Sequence, residues 1–380
     1  MNTALLRPFL LPVLALLTVA PQAVRASAWE ITTVDSNGDT GYMPSLALNS
    51  SGLPSISYYD LSNGNLKYAS FDGSSWSIST IDTSGDVGLH TSLALNSSGL
   101  PSISYFDQTN SALKYASFNG SSWTTSTVDN SGWVGEYTSL ALNSSGLPSI
   151  SYYDRTNDHL KYASFNGSSW SVSTVDSSPG TGADTSLKLN SAGLPSISYG
   201  DYYRHLKYAS FDGSTWSIST VDSSEDVGLF TSLALNSSGL PSISYYDLNN
   251  GDLKYASFDG STWSISAPDQ EGDVGLYTSL ALDSSGNPSI SYYDASNDNL
   301  KYASFDGTTW SVSTVDDTYN DAGFFSSLAL DASGHPSIAY LEYSTGALKY
   351  ATIPEPHAFS LLTLCGLAGV LLRRRACAMR

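Results

Sequence analysis

Residues 45–82 read SLALNSSGLPSISYYDLSNGNLKYASFDGSSWSISTID, and this stretch decides the architecture. It holds four short segments of strand character, SLALN, PSISYYD, LKYASF and WSISTID, separated by Asn-Ser-Ser-Gly, Asn-Gly and Asp-Gly turns. The Ser-Leu that opens it returns at Ser92, Ser139, Ser186, Ser232, Ser279 and Ser327, so the spacings from Ser45 onward are 47, 47, 47, 46, 47 and 48. Four strands every 47 residues or so is the period of a propeller blade. The seventh copy stops after Leu348-Lys349-Tyr350-Ala351 without its Trp strand, whereas Trp29-Glu30-Ile31-Thr32-Thr33-Val34-Asp35 stands alone ahead of the first copy and matches Trp76 to Asp82. The reading is an all-β, seven-bladed β-propeller over residues 29–353, with the N-terminal strand closing the last blade. Closure removes the open strand edges that invite aggregation. A linear solenoid would need polar caps and gives no reason for a split repeat.

Within the unit, Asn63-Gly64 suits a two-residue type I′ turn, since both positions need positive φ. Counting outward from it pairs Ser62 with Asn65, Leu61 with Leu66, Asp60 with Lys67, Tyr58 with Ala69 and Ile56 with Phe71. The same count sets Asp107 against Lys114, Asp154 against Lys161, Asp247 against Lys254, Asp294 against Lys301 and Glu342 against Lys349. These lysines are therefore structural partners rather than a basic surface. Ser55, Ser57, Tyr59, Tyr68 and Ser70 fall on the opposite face, where small and aromatic side chains interdigitate between blades; Leu61, on that face beside the turn, is exposed. The run at 71–76, Phe-Asp-Gly-Ser-Ser-Trp, resembles the Asp-box of sialidase-like propellers but lacks one residue between Asp and Gly. It reads as a tight turn feeding a Trp-led outer strand.

Composition narrows the function classes. The chain has 380 residues, 35 acidic against 16 basic, for a net charge of −19. Strong helix formers are scarce, which excludes a helical bundle, and the charge excludes a nucleic-acid partner. Six of the sixteen basic residues (Arg7, Arg25, Arg373, Arg374, Arg375 and Arg380) lie in the two ends, so the repeat region is more acidic still. Cys365 and Cys377 are both in the last sixteen residues, leaving the body without a disulfide or thiolate metal site.

The two ends read as targeting segments. Arg7, an apolar run over 8–20 and Ala26-Ser27-Ala28 make residues 1–28 a secretory signal peptide. A buried first helix is the alternative, against which Pro8, Pro12 and Pro21 count. At the other end Pro354-Glu355-Pro356 precedes fifteen mostly apolar residues, 358–372, and then Arg373-Arg374-Arg375. Arginines resist translocation, so such a tail stops in the membrane with its basic end cytoplasmic. In these three ordered elements residues 354–380 resemble the PEP-CTERM sorting signal of Gram-negative bacteria. The resemblance implies recognition of Pro354, Glu355 and Pro356 by an exosortase-type membrane enzyme, removal of the tail, and delivery to the cell surface or an exopolysaccharide matrix.

Two candidate sites stand out, both on the face that gathers the hairpin turns and the loops following the Trp strands. Asp35 with Asp39, Asp82 with Asp86, Asp222 with Asp226, and Asp269 with Asp273 are hard-oxygen ligands suited to Ca²⁺, although aspartates also cap turns and EF-hand spacing is absent. Arg155 and Arg204 are the only arginines between the two ends and occupy hairpin turns of neighbouring blades, with His159 and His205 beside them. The second turn is one residue short and reads Asp201-Tyr202-Tyr203-Arg204-His205, while Trp133 and Glu136 fall in a loop on the same face, which the reading assigns to an adjoining blade. Aromatic platforms and guanidinium forks suit acidic sugars; drift in solvent-exposed loops is the alternative. Near-identical repeats supply rings of one residue rather than a convergent catalytic set, and no metalloprotease helix, nucleophile elbow or phosphate loop occurs. The expectation is a non-enzymatic surface protein that binds extracellular polysaccharide or another matrix component. Its rivals are a propeller hydrolase or lyase acting on glycans and a purely structural surface protein.

Overall fold

The computed structural model describes residues 29–318 and 321–353. The expected signal peptide and sorting tail lie outside the described residues. Among those described, 28 strands form seven four-stranded antiparallel sheets, and six of these run inner, second, third, outer in chain order. The seventh is split. Its outer strand is Glu30–Asp35, which pairs antiparallel with Ala347–Thr352, in register from Glu30 opposite Thr352 to Thr33 opposite Lys349, and after an irregularity at Val34 sets Asp35 opposite Leu348. Blades are numbered here from Tyr42–Asp82 as blade 1 to the split sheet as blade 7.

The inner strands start earlier than the Ser-Leu signal suggests. In blade 1 the inner strand is Tyr42–Leu48 and in blade 2 Val87–Leu95, because a bulge ahead of Ser-Leu breaks the alternation that marks a strand in sequence. A glycine opens this bulge for a steric reason: at Gly88 (φ 113°) a Cβ would sit 2.8 Å from Leu66 Cα of the preceding blade. The second hairpin also differs from the reading. Asp60 pairs with Asn65, Tyr58 with Lys67 and Ile56 with Ala69, so the loop has four residues, 61–64, instead of two. Asp60 causes this by wrapping the turn: its carbonyl accepts the Gly64 N–H (2.8 Å) and its carboxylate accepts the Asn63 amide (3.0 Å). A slip of two residues leaves every side chain on the face expected of it. The acid–lysine pairs survive as diagonal neighbours, at 3.9 Å for Asp60–Lys67 and 3.3 Å for Glu342–Lys349.

The core lies between blades. Val34, Leu46, Ile56, Tyr58 and Ala69 pack against Ala339, Leu348 and Tyr350 across the split sheet, and six equivalent clusters fill the other junctions. Side chains such as Ile56, fully buried, each contribute about 1.5–3 kcal/mol of transfer free energy. Three polar or aromatic rings staple the junctions. Each Ser-Leu serine accepts the next blade's Leu N–H at 2.9–3.0 Å, closing through Ser327 to Leu46. Each outer-strand Trp meets a third-strand Tyr of the preceding blade edge-on at 5.3–5.5 Å, and Trp29 on Tyr302 completes that set. Second-strand hydroxyls meet inner-strand hydroxyls of the next blade, as in Thr91 to Ser57 at 2.7 Å. At the blade 7–blade 1 junction the equivalent residues are Ala339 and Pro44, so both partners lack the hydroxyl together and neither is left unsatisfied.

Candidate functional site

The aspartates that end the outer strands are inter-blade posts. In all seven junctions a buried tyrosine donates its hydroxyl to the preceding blade's aspartate at 2.6–2.8 Å: Tyr58 to Asp35, Tyr105 to Asp82, Tyr152 to Asp129, Tyr199 to Asp176, Tyr245 to Asp222, Tyr292 to Asp269 and Tyr340 to Asp316. The second carboxylate oxygen caps the following turn, as in Ser84 N–H to Asp82 (3.0 Å). Lys67 bonds Asp35, and Lys114 and Lys301 reach Asp82 and Asp269 at 2.5 Å, closer than the hairpin acids expected as their partners. Burial pushes Asp82 up, but the Lys114, Ser84 and Tyr105 hydrogen bonds outweigh it and hold the carboxyl at about 2.

The two aspartates of each expected Ca²⁺ pair have different partners. Asp35, Asp82, Asp222 and Asp269 serve the blade junctions. Asp86 and Asp273 accept the Tyr59 and Tyr246 hydroxyls (2.6 and 2.5 Å), Asp226 accepts from Arg204, and Asp39 is held through its N–H on Ser62. Among the described residues no group of three or more His, Cys, Asp or Glu side chains is placed to hold a metal.

The arginine sector resolves into two clusters on the loop face, joined by no hydrogen bond, ion pair or ring contact among the described residues. Trp133 and Glu136 belong to the same blade as Arg155, not to an adjoining one. Glu136 accepts both the Trp133 indole N–H (2.8 Å) and Arg155 Nη1 (3.2 Å), and the guanidinium lies 5.1 Å over the Trp133 ring. His159 opens the third strand, His159–Phe165. In blade 4, Arg204 bonds Asp226 (3.1 Å), and His205 Nδ1 faces Asp201 Oδ2 (3.0 Å) while the other Asp201 oxygen accepts the Tyr203 and His205 N–H groups. Each guanidinium thus already has an acidic partner, because the loop leading into its own or the next blade brings one.

The short hairpin of blade 4 has an effect the sequence reading missed. Asp201 faces His205 with one carboxylate oxygen and caps its own turn with the other, and Lys207, the blade 4 member of the lysine set, bonds Thr220 Oγ1 (2.9 Å) and makes no ion pair among the described residues, whereas the other six are ion-paired to acids. Tyr202 and Tyr203 are 71% and 63% exposed, their rings edge-on at 5.2 Å. With Lys207, Ser178, Pro179, Thr181 and Asp201 they line a cleft of about 440 Å³ between blades 3 and 4. The signal was present in the sequence as the missing residue, which moves Asp201 one step closer to Lys207 along the chain.

A second missed feature sits on the axis. Met43, His90, Tyr137, Asp184, Phe230, Tyr277 and Phe325, one from each inner-strand bulge, all have φ between 50° and 54° and line a cavity of about 230 Å³. The signal was the third position of Gly-x-X-Thr/Pro/Ser-Ser-Leu, which differs in almost every copy while its surroundings repeat. Phe230–Tyr277 and Tyr277–Phe325 pack at 4.6 and 4.5 Å between ring centres, and His90–Tyr137 at 4.6 Å. Burial lowers His90 to about 4 and raises Asp184 to about 6, the latter against the Phe230 N–H bond and the charge of Arg204.

Comparison with solved structures recovers the same architecture. The chain is similar to the β-propeller domain of Cps50 (Swd1) from Myceliophthora thermophila, at TM-score 0.59 and 11% identity over 86% of this chain and 100% of that one. It is also similar to the SapL1 lectin in complex with α-methyl fucoside, at TM-score 0.53 and 16% identity over 73% and 97%. A third is the Aleuria aurantia lectin in complex with Fucα1-6GlcNAc, at TM-score 0.51 and 15% identity over 72% and 96%. No protein-family model matches the chain, and a search of curated proteins finds no match.

Proposed function

We propose that this is a non-enzymatic carbohydrate-binding propeller whose ligand is an acidic extracellular polysaccharide, held at the blade 3–blade 4 cleft. One observation carries the reading: two adjacent tyrosines, the most exposed large hydrophobic side chains among the described residues, share a cleft with Lys207, the one Leu-Lys-Tyr lysine not tied to an acid. Exposed aromatic rings offer apolar platforms, and sugar C–H faces stack on such rings. Lys207 supplies a cation for a uronic carboxylate. Arg155 and Arg204, with side chains 57% and 48% exposed, add positive potential nearby while keeping their own acids. The lectin neighbours, each in complex with a fucose-containing ligand, support the use of this fold for glycans.

The setting that goes with this reading is secretion through the 1–28 segment and sorting through Pro354, Glu355, Pro356 and the Arg373-Arg374-Arg375 cluster, with an exosortase-type enzyme as processing partner. Mass spectrometry of the cell-associated protein tests this by locating both ends. For the binding site the test is a glycan array with the purified protein: uronic-acid polymers bind, binding weakens with salt, and Tyr202→Ala/Tyr203→Ala/Lys207→Ala abolishes it with the melting temperature shifted by no more than a few degrees. A triple variant that binds every glycan as the parent does overturns the site.

A further inference from the structure

We propose that the axial cavity is a second, independent binding site, for a small methylated or primary organic ammonium ion, with Asp184 as its counter-ion. The backbone makes the first part of the case. All seven axial residues occupy the left-handed region, where glycine is relaxed and side chains are strained, yet none of the seven is glycine. Side chains kept in that conformation are kept for what they do at the axis. A ring that only needed plugging would use one residue seven times, as the rest of the repeat does.

The composition of the wall makes the second part. Tyr137, Phe230, Tyr277, Phe325 and the neutral His90 give five aromatic positions of seven, the others being the thioether of Met43 at blade 1 and one carboxylate, Asp184, at blade 4. That blade is also where Gly200 replaces the Tyr, Phe or Leu found at the equivalent second-strand position elsewhere. In blades 3, 5 and 6 that tyrosine packs beside the axial residue at 6.3–6.5 Å, as Tyr153 on Tyr137, Tyr246 on Phe230 and Tyr293 on Tyr277. At blade 4 no second-strand ring stands beside the axial residue, and the Gly228 carbonyl oxygen lies 2.9 Å from where a Gly200 Cβ would be. Asp184 lines the cavity; its Oδ2 accepts the Phe230 N–H (3.0 Å), and no other hydrogen bond to this carboxylate is made among the described residues, which leaves Oδ1 without a protein donor. The groups that face it are the hydroxyls of Tyr137 and Tyr277 on other inner strands and, from the blade 4 hairpin, Arg204, which is held by Asp226. Aromatic faces around one desolvated carboxylate are the environment in which an alkylammonium is bound, through cation–π attraction plus a charge-assisted contact.

The experiment is calorimetric titration of the purified protein with choline and with its neutral isostere 3,3-dimethyl-1-butanol. Choline binds saturably at about pH 7, the isostere at least about tenfold more weakly, and Asp184→Asn reduces choline affinity by about tenfold or more while its melting curve reports an intact ring. Choline affinity also falls between about pH 7 and pH 5 as the carboxylate takes up a proton. Tyr202→Ala/Tyr203→Ala leaves choline binding unchanged, which separates this site from the glycan cleft. Absence of saturable choline binding, equal affinity for the two probes, or an unaffected Asp184→Asn variant each overturns the proposal.

Discussion

Tyr105 and its six equivalents each do two jobs, filling an inter-blade core with a ring and satisfying a buried aspartate with a hydroxyl. The sequence displayed the tyrosines and the aspartates in fixed columns, but not that each aspartate belongs to the blade before its tyrosine; nothing within one 47-residue unit marks a contact that crosses to the next. The lysines were read correctly as structural, but Lys67, Lys114, Lys161 and Lys301 lie nearer the preceding blade's aspartate than the hairpin acid assigned to them, for the same reason, whereas Lys254 and Lys349 keep Asp247 and Glu342. Asp184 is the counterexample, a carboxylate with no protein cation bonded to it. Its folded-state value of about 6 lies above the usual carboxylate value, so the stability it allows is complete below about pH 4 and is lost as pH rises through 6. At neutral pH the charged form costs up to about 2–3 kcal/mol. Asp184→Asn is therefore expected to raise the melting temperature by a few degrees at about pH 7, with the gain vanishing near pH 4. Melts at both pH values check it; a gain independent of pH would show that charge is not the cause.

Among the elements, hairpins show where local rules mislead. Asn63-Gly64 is a sound turn signal, yet Asp60 lengthens the loop by capping it from outside the pair, and the strand register moves by two. The period-2 pattern survived this because a slip of two preserves faces, which is why burial was legible when pairing was not. Bulged backbone at the axis was invisible for the opposite reason: it has no period at all. The strand Glu30–Asp35 was the most legible element, since a repeat cut in two has no other use in a ring. Deleting residues 29–35 removes Trp29 from Tyr302, Asp35 from Tyr58 and Lys67, and the partner of the strand Ala347–Thr352. Loss of soluble monomer in size-exclusion chromatography is the expected result, because an unpaired edge is exposed. A monodisperse deletion variant with the parent's melting temperature would contradict closure by this strand.

At the scale of the whole molecule, stability is set by repeated junctions, so one chemical change acts around the ring at once. Asp35, Asp82, Asp129, Asp222 and Asp269 are all held below the usual carboxylate value because, although burial opposes it, tyrosine, lysine, serine or backbone donors outweigh it. Their contribution is present above the ordinary carboxylate value, about 4, and is lost as pH falls through their depressed values. Neutral His90 adds a smaller loss between 6.5 and about 4. Thermal melts across pH should thus show a broad plateau near neutrality and a steep, cooperative fall below about pH 4; a collapse complete by pH 5 would point to different groups. The split sheet has a mechanical consequence as well. Glu30 and Thr352 are register partners at the end of blade 7 opposite the hairpin loops, so the chain enters and leaves the ring at one corner. A tether attached beyond Ile353 pulls on a strand gripped from both sides, by Pro336–Glu342 and by Glu30–Asp35, and the load is shared between two ladders. That corner lies at the end of blade 7 away from the face that carries the axial residues and the blade 4 cleft, so a molecule held there would leave both openings uncovered.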